Sequence, residues 1–222
     1  MIELSIPAPD GEVAGLLERP DDAGWLYVLA HGAGAGMRHR FMEAIAERLA
    51  AADIATLRYE YPYMTAGSRR PDPAPKNEAV TREVCGYAAA EYPDLRLCAG
   101  GKSMGGRVTS RAQAAEPLPR VERLIFLGFP LHPPGKLSTQ RAEHLSDVHI
   151  PMLFLQGTRD TLADLTLMKD VCADLGERAE LHIEEGADHS FAVLKRSGRT
   201  NEEVLDSLVR KTAEFLSRGA AE

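Results

Sequence analysis

The hydrophobic pattern changes period along the chain, and each change marks an element. Residues 2–6 and 12–19 alternate apolar and polar side chains on either side of Ala8-Pro-Asp-Gly11, a turn sequence, and together predict an antiparallel hairpin. The next apolar stretch does not alternate. Residues 25–30, Trp-Leu-Tyr-Val-Leu-Ala, are apolar throughout, the pattern of a strand covered on both faces of a sheet. A glycine-rich loop follows, then residues 38–52, whose apolar positions recur at helical spacing. The same alternation continues through strand 54–59, a helix near 77–91, strand 95–100, a helix from Met104 and strand 123–128. Strand 152–156, a helix near 164–175, strand 180–184 and a closing helix from 201 to about 218 complete it.

Strands that alternate with helices imply an α/β fold: a mostly parallel sheet of about seven or eight strands, opened by the hairpin and covered by helices on both faces. In such a sheet the reacting groups gather in loops beyond the carboxyl ends of the strands. Two connections interrupt the alternation. Residues 61–76 carry Pro62, Pro71, Pro73 and Pro75 around Arg69-Arg70, which predicts a stiff loop rather than a helix. Residues 129–148, with Pro130, Pro133, Pro134 and Gly135, hold at most one short helix and cannot form a separate cap domain, so little or no lid is expected. With no internal repeat or low-complexity tract, residues 1–222 read as a single domain.

One loop carries a motif with a mechanism. Gly101-Lys102-Ser103-Met104-Gly105 is a G-x-S-x-G pattern between a predicted strand and a predicted helix. A sharp strand-to-helix turn strains the serine backbone and crowds the residues two before and two after it, so both must be very small. Ser103 would then stand exposed as a nucleophile, with the N–H of Met104 at the helix terminus ready to stabilise negative charge. Two other readings compete. A glycine-flanked serine can be a plain helix N-cap. Gly101-Lys102-Ser103 also matches the end of a phosphate-binding G-x-x-x-x-G-K-[ST] loop, but the leading glycine would have to stand where Arg96 does, inside a strand.

A serine hydroxyl needs a base, and in this fold class the base comes from a late loop. His189 lies directly after the last predicted strand. The other histidines fit less well: His39 and His144 fall in helical patterns, His132 and His149 in connections, and His182 in a strand. Asp160, just beyond strand 152–156, is placed to hold the imidazole in the required tautomer, and the chain order Ser, Asp, His suits this topology. Asp164 competes for that role but falls where the next helix starts, and Asp188 adjoins His189 and would point elsewhere.

The loop His31-Gly-Ala-Gly-Ala-Gly36 lets backbone N–H groups approach a carbonyl oxygen, with Ala33 the second oxyanion donor and Gly34 beside it. His31 is expected to anchor this loop. A dinucleotide-binding turn is the competing reading, but Met37 replaces the third glycine. Tyr61, Tyr63, Arg69 and Arg70 are candidate pocket residues that would favour an anionic substrate; a solvated loop explains the same stretch equally well.

Composition narrows the partners. A formal net charge of -7 over 222 residues opposes nucleic acid or an anionic membrane surface. Cys85, Cys98 and Cys172 have neither disulfide-framework nor zinc spacing, which favours a reducing cytoplasm and no metal. The first residues lack the basic and apolar regions of a secretory leader, and no apolar run is long enough for a membrane span. A monomer or a homodimer fits this size.

Four segments together resemble the small serine hydrolases of the dienelactone-hydrolase-like group within the α/β-hydrolase superfamily, nearest the branch that contains testis-expressed protein 30. They are His31-Gly-Ala-Gly-Ala-Gly-Met37, Gly101-Lys-Ser-Met-Gly-Gly-Arg107, Gln156-Gly-Thr-Arg-Asp160 and Asp188-His-Ser-Phe191. The resemblance implies an α/β-hydrolase fold, a triad of Ser103, Asp160 and His189, and an oxyanion hole from Ala33 and Met104. It implies hydrolysis of a small acyl ester or thioester without a cofactor. Dienelactone hydrolases proper carry a cysteine where this chain has Ser103. The branch also contains proteins thought to serve within larger assemblies, so a binding or scaffold role on the same fold is the alternative.

Overall fold

The computed structural model describes residues 1–218, so positions 219–222 of the expected domain lie outside the described residues. The strands are β1 (Ile2–Ala8), β2 (Gly11–Glu18), β3 (Trp25–Ala30), β4 (Ile54–Tyr59), β5 (Arg96–Lys102), β6 (Val121–Leu127), β7 (Met152–Gly157) and β8 (Ala179–Glu184). They form one sheet in the order β1-β2-β4-β3-β5-β6-β7-β8. Strands β3 to β8 run parallel, and the hairpin β1-β2 joins antiparallel through β2 along β4.

The unbroken apolar run of β3 is explained by cover on both faces. Leu26, Val28 and Ala30 pack into one core with Val80 and Val84 of α3 (Ala74–Glu91), Val108 of α4 (Met104–Ala115) and Met168 of α5 (Leu165–Leu175). Trp25, Tyr27 and Leu29 point the other way, onto Met42 and Ile45 of α1 (Arg40–Ala50) and Leu208 of α6 (Asn201–Ser217). Each Leu, Ile, Val or Met side chain among them contributes about 1.5–3 kcal/mol when fully buried. A slip of one residue would exchange every side chain between the two cores, so register is strongly specified, and with it the position of each strand end.

The prolines of 61–76 do not make a continuous loop. Pro62–Thr65 forms a short helix, α2, and α3 begins at Ala74, earlier than its periodicity predicts. The correction has a simple cause: Pro75 sits in the first turn of α3, where a missing N–H costs no helical hydrogen bond and the fixed φ suits the helix. Between β6 and β7 the chain forms only a 3₁₀ stretch, Gln140–Asp147, and inserts no lid domain. Among the described residues no helix is long and apolar enough to cross a membrane.

Candidate active site

The site begins with a constraint between backbones. At the end of β5 the chain turns into α4 through Ser103, whose φ of 51° and ψ of -114° lie in a region costly for a residue with a side chain. Tight packing around the turn holds that conformation. A Cβ on Gly101 would lie 2.2 Å from the Ala30 carbonyl oxygen, and one on Gly105 2.6 Å from the same atom. With neither glycine carrying a side chain, β3 presses against the turn from below and Ser103 is pushed outward. Its N–H still donates to the Leu127 carbonyl at 3.1 Å, while its own carbonyl accepts from Arg107 N–H at 3.2 Å.

Two loops bring the partners of the hydroxyl. His189, in the loop after β8, places Nε2 2.9 Å from Ser103 Oγ. Its Nδ1 lies 2.7 Å from Oδ2 of Asp160, beyond β7. Asp160 is only 7% exposed and takes further donors: Leu162 N–H on Oδ1 at 2.8 Å and Gln156 Nε2 on Oδ2 at 2.5 Å. A carboxylate that receives so many donors acts purely as an acceptor, so the Nδ1 proton of His189 points at Asp160 and Nε2 keeps its lone pair toward the serine. This arrangement can remove a proton from the hydroxyl as Oγ attacks an electrophilic carbon.

The competing acids are otherwise occupied. Asp164 is the N-cap of α5 and accepts from the N–H groups of Thr166 and Leu167 at 3.0 and 3.1 Å. Asp188 accepts from the backbone of Ser190 and Ala192 and so shapes the histidine loop.

His31 is fully buried and ties two loops together. Its Nδ1 lies 2.8 Å from the Gly32 carbonyl, and its Nε2 accepts from Tyr61 N–H at 3.2 Å. Along the following loop, Gly34 adopts a left-handed φ of 66° and gives its N–H to the Tyr63 hydroxyl at 3.2 Å. That N–H is therefore not free for a substrate. Ala33 and Met104 both border the space above Ser103, and the Met104 N–H belongs to the first helical turn, whose donors lack partners within the helix.

The expected pocket residues of the proline-rich loop are not where the sequence puts them. Tyr61 is buried, with its hydroxyl 3.1 Å from Thr81 Oγ1 and 3.1 Å from the Tyr59 hydroxyl, and it supports the loop from within. Arg69 and Arg70 are exposed and border neither cavity at Ser103, although the Arg69 backbone packs on Gly34. The sequence carries no signal of which residues of that loop reach the serine; Pro71 and Asp72 border its cavity and Arg69 and Arg70 do not.

Two cavities meet at Ser103. One, of about 290 Å³, is bordered by Ala33, Asp72, Asn77, Met104, Arg107 and Arg141. The other, of about 360 Å³, is bordered by Ala35, Phe41, Met42, Lys102, His189 and Ser190. Ser103, Ala33 and Leu162 belong to both. Arg107 was legible in principle, since it stands four residues after Ser103 on a predicted helix and hence on the same face. Arg141, Asn77 and Phe41 arrive from separate elements, and only the fold gathers them.

Lys102, the lysine of the phosphate-loop reading, is engaged within the protein. Its ammonium donates to the His189 carbonyl at 2.7 Å and sits 5.9 and 5.6 Å from the ring centres of Phe41 and Phe191. Burial lowers its pKa to about 8, against the opposing pull of Asp160 and Asp188. Because the folded value lies below the unfolded one, the unfolded chain holds more protons between about pH 8 and its ordinary 10.5. The native state therefore gains stability as pH rises through that window. Relative to a Lys102→Met protein, the wild type should gain on the order of 2 kcal/mol between pH 7 and pH 10.5, read by urea unfolding at each pH. A difference that does not move with pH would contradict a buried ammonium at this position.

Comparison with known proteins gives a consistent result. Residues 24–217 match the model of a family described as an alpha/beta hydrolase domain. Among solved structures, an alpha-beta serine hydrolase homologue from Coxiella burnetii superposes with a TM-score of 0.76 at 19% identity, covering 95% of this chain and 96% of that one. A dienelactone hydrolase from Anabaena variabilis gives 0.76 at 20% identity, covering 97% and 95%. A serine hydrolase without lid from Xanthomonas campestris gives 0.71 at 22%, covering 95% and 94%. At such identities the likeness is one of fold.

Proposed function

We propose, from the premise that this chain belongs to the alpha/beta hydrolase domain family, that it is a serine hydrolase cleaving a small carboxylic ester or thioester. One observation carries the reading: the unbroken relay from Ser103 Oγ to His189 Nε2 at 2.9 Å and from His189 Nδ1 to Asp160 at 2.7 Å. Oγ attacks the acyl carbon while His189 takes its proton, and Ala33 and Met104 N–H groups receive the charge that develops on the carbonyl oxygen. The tetrahedral intermediate collapses, His189 returns the proton to the departing alcohol or thiol, and an acyl-Ser103 ester remains. Water, deprotonated by His189, then releases the acid and restores the serine. Within the family, the four shared segments favour the branch containing testis-expressed protein 30.

The reading is tested by a fluorophosphonate probe, which forms a stable bond only with an activated serine. The wild-type protein should be labelled at Ser103, as located by peptide mass, and a Ser103→Ala protein should stay unlabelled. An unlabelled wild-type protein that is folded by circular dichroism would favour a scaffold role instead.

A further inference from the structure

The cavity beside Met104 holds two positive side chains that the protein itself leaves without counter-ions. Arg107 lies one helical turn, about 6 Å, along α4 from Ser103. Arg141 comes from the 3₁₀ stretch between β6 and β7. Both border the cavity, and neither takes part in an ion pair or a side-chain hydrogen bond among the described residues. The Nε of Arg107 is buried and has no acceptor. Buried donors normally find a partner, so the protein alone leaves this guanidinium incompletely satisfied.

Nearby carboxylates do not supply one. Glu78 is held by Arg111, whose Nε donates to it at 2.5 Å. Asp72 borders the same cavity, its Oδ2 buried without a hydrogen-bond partner and 3.9 Å from Lys76 Nζ, and it forms no ion pair with Arg107 or Arg141 among the described residues. Around the Arg107 guanidinium the like charges of Arg141 and Arg111 outweigh the pull of the one carboxylate, Glu78. The pKa of Arg107 is lowered by burial first and then by Arg141 and Arg111. The same field helps to hold His144 neutral: burial, then Arg111 and Arg107, bring it down to about 4.

The two cavities also have different chemistry around the reacting atoms. His189 borders only the one lined by Phe41 and Met42. Since His189 must hand its proton to the leaving oxygen, the leaving group belongs on the side of His189, and the acyl chain belongs on the side of Arg107 and Arg141. Resting on the serine-hydrolase reading above, we infer that the acyl group carries a second, anionic end, a carboxylate a few carbons from the reacting carbonyl, bound by Arg107 and Arg141. The substrate class is thus a half-ester of a dicarboxylic acid. The ester C–O bond breaks, the departing alcohol takes the proton from His189, and the acyl-Ser103 intermediate keeps its free carboxylate on the two guanidinium groups.

The test compares monoethyl adipate with ethyl hexanoate, esters matched in acyl length that differ in the terminal carboxylate, by the rate of acid release. The wild-type kcat/KM should be about ten- to a hundredfold higher for the half-ester, as expected for charge-assisted hydrogen bonds at a partly buried site. In Arg107→Gln and in Arg141→Gln the ratio of the two kcat/KM values should fall about tenfold or more. Arg70→Gln, on the exposed loop outside the cavity, should leave the ratio unchanged. Equal turnover of both esters by the wild type, a preference for the neutral one, or a ratio insensitive to both arginine substitutions would overturn the inference. So would fluorophosphonate labelling of Ser103 without hydrolysis of the half-ester, a result that leaves the triad reading intact. Loss of labelling as well as turnover would instead sink the hydrolase reading itself.

Discussion

An Asp160→Asn protein should fold as the wild type does and turn over about four powers of ten more slowly. The reason lies in how the carboxylate is surrounded. Oδ2 of Asp160 receives both His189 Nδ1 and Gln156 Nε2, and Oδ1 receives Leu162 N–H. An amide has one oxygen for these two positions. Set at Oδ1, the asparagine oxygen keeps Leu162 satisfied and turns its NH2 toward His189 and Gln156. Gln156 can adapt, because its own Oε1 is buried without a partner, and a flip of its amide turns that oxygen toward the new donor. His189 can adapt only by moving its proton from Nδ1 to Nε2. That tautomer presents an N–H to Ser103 where a lone pair is needed, so the base is present and in position but already occupied. Melting temperature and near-ultraviolet circular dichroism should stay close to wild type, while kcat falls and KM changes little. A kcat within tenfold of wild type would mean that Asp160 does not set the tautomer.

Removing the nucleophile and removing the base should each lower kcat by about as much as removing both. Ser103→Ala leaves His189 with no hydroxyl to deprotonate. His189→Ala leaves Ser103 with a hydroxyl that is protonated near neutral pH and a poor nucleophile. Each alone is expected to cost on the order of 10⁵- to 10⁶-fold in kcat, and the double variant no more, because the two groups perform one step together. The residual rate above water would come from the N–H groups of Ala33 and Met104, which neither substitution touches. Two single losses that multiply in the double variant would show that the groups act independently and would end the relay account. The cycle also separates catalysis from folding: a Ser103→Ala protein no longer confines a serine side chain at a φ of 51°, but its backbone strain persists, so little change in stability is expected.

Much of the fold was legible because its signals are local. The run of apolar residues in β3 requires cover on both faces, and a chain that alternates such runs with amphipathic helices can satisfy that requirement in very few ways. Misjudgements arose where one residue type has two physical meanings. Proline stops a helix from inside but starts one from its first turn, and Pro75 does the second. Arginine in a loop is a pocket residue or a solvated one according to the path of the loop, and the path from Tyr61 to Asp72 is set by contacts with His31, Thr81 and Gly34 that come from elsewhere in the chain.

By itself the sequence determined the strand-helix order, the need for glycine at 101 and 105, and the identity of the three side chains able to meet at the sheet rim, because each follows from local geometry at the end of a strand. Only the tertiary structure decided that Lys102 points at the His189 carbonyl, that Gln156 braces Asp160, and that Arg107 and Arg141 share one cavity while Arg69 and Arg70 do not. Those arrangements depend on how elements far apart in the chain pack against one another, and period and spacing along a sequence carry no information about that distance.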